Sequence, residues 1–63
     1  MDQDNAELIG MLCTRIGSIM EDASVIALTI GAIEPGQRLA RLVELKRASA
    51  TIASLFAAVE TLS

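Results

Sequence analysis

The chain has 63 residues, a net charge of −3 and a pI near 4.6, which fits one small, mildly acidic domain too weakly charged to mimic nucleic acid. Hydrophobic residues make up 52%, yet there is one Phe and no Trp or Tyr, so the apolar content is the aliphatic kind that lines helix-to-helix seams. The absence of His excludes imidazole catalysis and His-ligated metal, and the single cysteine, Cys13, excludes an internal disulfide and a thiolate zinc site.

The first seven residues carry three acids and no base, unlike a secretory signal. Asp4 with Glu7 three residues later forms an acidic version of a capping box, so the first helix is expected over about 4–31. It carries an apolar seam at Ile9, Leu12, Ile16, Ile19, Ala23, Ile26, Ile30 and Ile33. The steps alternate between three and four residues with no polar intruder, which predicts left-handed, coiled-coil-like packing. Met11, Val25 and Leu28 fall on the far side, where a two-helix structure leaves them wet and a third helix should cover some of them.

A second, slender column is small throughout: Gly10, Gly17, Ser24 and Gly31, flanked by Cys13 and Ala27. Glycine within a helix costs about 1 kcal/mol relative to alanine. Close approach of another helix offsets that cost; the plainer reading is that small residues are merely tolerated there. Cys13 itself is expected to be a buried small apolar side chain rather than a reactive thiol, since only Arg15 is near and it lies on another face.

The break falls at residues 31–36, with the turn at about 32–34. Gly31 suits a left-handed C-terminal cap, and Pro35 disfavours helix at Glu34 while fitting the first turn of a new helix. The second helix is expected over about 35–62, and the short connection makes the two antiparallel neighbours. In that register facing residue numbers add to about 68, which sets Glu21 and Asp22 beside Lys46 and Arg47.

Helix 2 carries two overlapping seams. One runs through Leu42, Leu45, Ser49, Ile52, Phe56 and Val59; the other through Leu45, Ala48, Ile52, Leu55, Val59 and Leu62. A helix with two apolar seams contacts two neighbours, as in a four-helix bundle. Its outer face is polar, with Arg41, Glu44 and Arg47 among its members, and the pairings Glu34–Arg38, Arg41–Glu44 and Glu44–Arg47 are expected along it.

The predicted architecture is therefore all-α: an antiparallel two-helix hairpin, one domain over 1–63, assembling as a dimeric four-helix bundle. The carboxylates do not cluster as metal ligands, no glycine-rich phosphate loop exists, and the longest uncharged runs, 11 and 12 residues, fall short of the roughly 20 that span a bilayer. No catalysis, cofactor, metal or membrane contact is expected. The expected function is a small cytoplasmic, non-catalytic protein-interaction or regulatory module, with a second copy or another protein as partner. Its expected interface is Ile9, Leu12, Ile16, Ile19, Val25, Ile26, Leu28 and Ile30 on helix 1 and Leu45, Ile52, Leu55, Phe56 and Val59 on helix 2. The alternative is a nucleic-acid-binding hairpin dimer using Arg38, Arg41, Lys46 and Arg47. Against it stand the acidic balance and the lack of aromatics for base stacking. A helical enzyme with Arg15 and Arg38 lining interior carboxylate sites ranks below both.

Overall fold

The computed structural model describes residues 5–63 and consists of two packed helices, α1 (Ala6–Thr29) and α2 (Pro35–Leu62). The fold is all-α, a helical hairpin with no strand among the described residues. Its Cα atoms span 54 × 15 × 9 Å, so the molecule is a single layer, two helices wide and one helix thick.

The alternating three-and-four spacing decides which face of α1 turns inward. Ile16 is buried, at 5% exposure, and Ile9, Leu12, Ile19, Ala23, Ile26, Ile30 and Ile33 are half-buried. Every member of the predicted seam thus faces α2. On α2 the half-buried residues include Leu45, Ala48, Ile52, Leu55, Val59 and Leu62, the second of its two seams. Leu42, Ser49 and Phe56, which belong to the first seam alone, stay exposed. The choice follows from rotation of α2 about its own axis: only one seam at a time can point at α1.

The ends of α1 differ from expectation in instructive ways. Asp4, half of the predicted capping box, lies outside the described residues. Asn5 stands at the N-cap with no side-chain cap bond, and its carbonyl accepts from the Ile9 N–H at 2.8 Å. Glu7 lies in the first turn, where a carboxylate meets the positive end of the helix dipole. At the other end Gly31 was expected to be left-handed, but no described glycine has positive φ. The helix instead tightens: Ile30 N–H donates to Ala27 at 3.5 Å and Ala32 N–H to Thr29 at 2.9 Å. The Gly31 carbonyl takes a hydrogen bond from the Arg38 guanidinium at 3.2 Å. A side chain from α2 thereby does the capping that a glycine turn would have done.

Pro35 opens α2 at the position where its missing N–H costs nothing, after Glu34 in extended conformation (φ −59°, ψ 138°). The Gln37 N–H returns to the Glu34 carbonyl at 2.8 Å and starts the first turn.

Candidate interaction surface

Along the outer surface the hydroxyls serve their own helices. Thr14 donates to the Gly10 carbonyl at 2.9 Å, Thr29 to Val25 at 2.9 Å, Thr51 to Arg47 at 3.1 Å and Thr61 to Ala57 at 2.9 Å. Their protons are spent locally, four residues back, and are not aimed at a ligand. Arg41 and Glu44 form an exposed ion pair at 2.8 Å. Among the described residues the expected pairs Glu34–Arg38 and Glu44–Arg47 do not form, since Arg38 turns back to Gly31 and Arg41 takes Glu44.

The hairpin register is the predicted one. Two hydrogen bonds mark its ends, Asn5 to the Leu62 carbonyl and Arg38 to the Gly31 carbonyl, and both pairs fall within one residue of the expected sum of 68. Glu21 and Asp22 nevertheless form no ion pair with Lys46 or Arg47 among the described residues.

No three Cys, Asp or Glu side chains come together among the described residues in a way that would hold a metal ion. An open hollow lies on the outer side of α1, lined by Glu7, Gly10, Met11, Thr14, Arg15 and Ser18. All six are exposed, so the hollow provides no desolvated environment in which to bind a small molecule. Cys13, expected to be buried, is exposed in the hairpin, because its column points to the side of the seam and α2 does not reach it. Arg38, Arg41, Lys46 and Arg47 are all exposed and diverge around α2, spread by the 100° step of the helix over about two-thirds of its circumference. They do not compose one patch, and Arg15, also exposed, stands apart from them on α1.

What the surface offers is apolar area. Leu28 is 83% exposed, and Met11, Val25, Leu39, Val43, Leu8 and Met20 are also open to solvent. Leu42 and Phe56 are each 46% exposed and lie two helical turns on either side of Ser49. Met20, Leu39 and Val43 were not singled out by periodicity. The signal for Met20 was present in the column Cys13, Met20, Ala27, which repeats every seven residues beside the seam.

Surface area expresses the same surplus. The chain exposes 4660 Å². A compact monomer of 6.6 kDa would expose about 3,900 Å², so the excess is roughly 800 Å². That excess is what an elongated layer of 54 × 15 × 9 Å exposes over a compact body of the same mass.

No family model, no curated protein and no solved structure matches the chain. Among the described residues no helix is long and apolar enough to cross a membrane. The functional reading therefore rests on this surface alone.

Proposed function

We propose that this chain is a small non-catalytic interaction module of the cytoplasm whose hairpins self-associate as a dimeric four-helix bundle. The observation that carries the reading is the imbalance between one buried side chain among the described residues, Ile16, and a surplus of exposed aliphatic surface. A two-helix layer has no second layer against which to bury its outer apolar residues, and domains are ordinarily built from at least two. A second hairpin supplies that layer at no further genetic expense, and two-fold closure stops growth at four helices. The exposed lone thiol of Cys13 suits a reducing compartment. Binding of a regulatory target would then use whatever apolar surface the dimer leaves open, with Met11, Val25 and Leu28 the foremost candidates.

The nucleic-acid alternative draws no support from the cation geometry, since Arg38 caps α1 and Arg41 is paired with Glu44.

Sedimentation equilibrium of the purified chain tests the reading. The expected result is a species near 13 kDa, twice the 6.6 kDa chain mass. A well-folded 6.6 kDa species at every concentration would remove it.

A further inference from the structure

We draw no further inference here: the strongest candidate, the exposed apolar patch on the outer side of α1 formed by Met11, Val25 and Leu28, is an unpartnered helix face, and nothing in the structure shows what covers it.

Discussion

Asn5 and Leu62 meet at the open end of the hairpin, where the Asn5 amide donates to the Leu62 carbonyl at 3.3 Å. The bond joins the first turn of α1 to the last turn of α2 across 57 residues and satisfies one of the orphan carbonyls of the α2 terminus. At the closed end Arg38 makes the matching contact to Gly31 at 3.2 Å. Between these two pins the half-buried side chains that line the seam are apolar.

Because the Asn5 contact is exposed, its energetic share is small. Asn5→Ala is expected to destabilise the fold by about 0.5 kcal/mol, near the low end for a neutral hydrogen bond. Amide exchange of residues 59–62 should quicken while that of residues 45–55 stays unchanged. Uniform quickening along α2 would show that the bond supports more than the open end.

Ile16 and Leu28 mark the extremes of burial, at 5% and 83%. Ile16→Ala should cost about 2–5 kcal/mol, the range for truncating a buried aliphatic side chain, and in so small a domain that is enough to abolish cooperative melting. Leu28→Ser should change stability by less than about 0.5 kcal/mol and leave the dimer intact. Circular dichroism melts of the two variants, run side by side, check both expectations.

Gly36 lies in the first turn of α2 with no positive φ, and a Cβ there meets nothing within 4 Å. Gly36→Ala is therefore expected to raise stability by about 0.4–1 kcal/mol, through helix propensity and a less flexible unfolded chain. The midpoint in urea should move up with no change in slope; a lower midpoint would reveal a strained backbone at the turn.

Much of this fold was readable in the residues. The α1 seam from Ile9 to Ile33 is the inward face residue for residue, because an uninterrupted three-four repeat leaves no other stripe to bury. The choice between the two seams of α2 was not readable. Leu45, Ile52 and Val59 belong to both, and what separates them is the rotation of α2, which the turn sets and periodicity does not encode. The end of α1 was misread for a related reason: Gly31 looks like a left-handed cap, but Arg38, seven residues on, reaches back to the Gly31 carbonyl, and no local rule contains that contact. The expected pairing of Glu21 and Asp22 with Lys46 and Arg47 does not form among the described residues, because equal height, which is all that residue sums give, does not bring side chains within reach.

The central claim is that one hairpin leaves more apolar helix surface than it shields, so that folding and association are coupled. Thermal unfolding followed by circular dichroism over a hundredfold range of chain concentration tests it most directly. Coupling predicts a midpoint that climbs steadily as the chain is concentrated, because mass action favours the associated state. A sharp, cooperative transition at one fixed temperature over the whole range would contradict it.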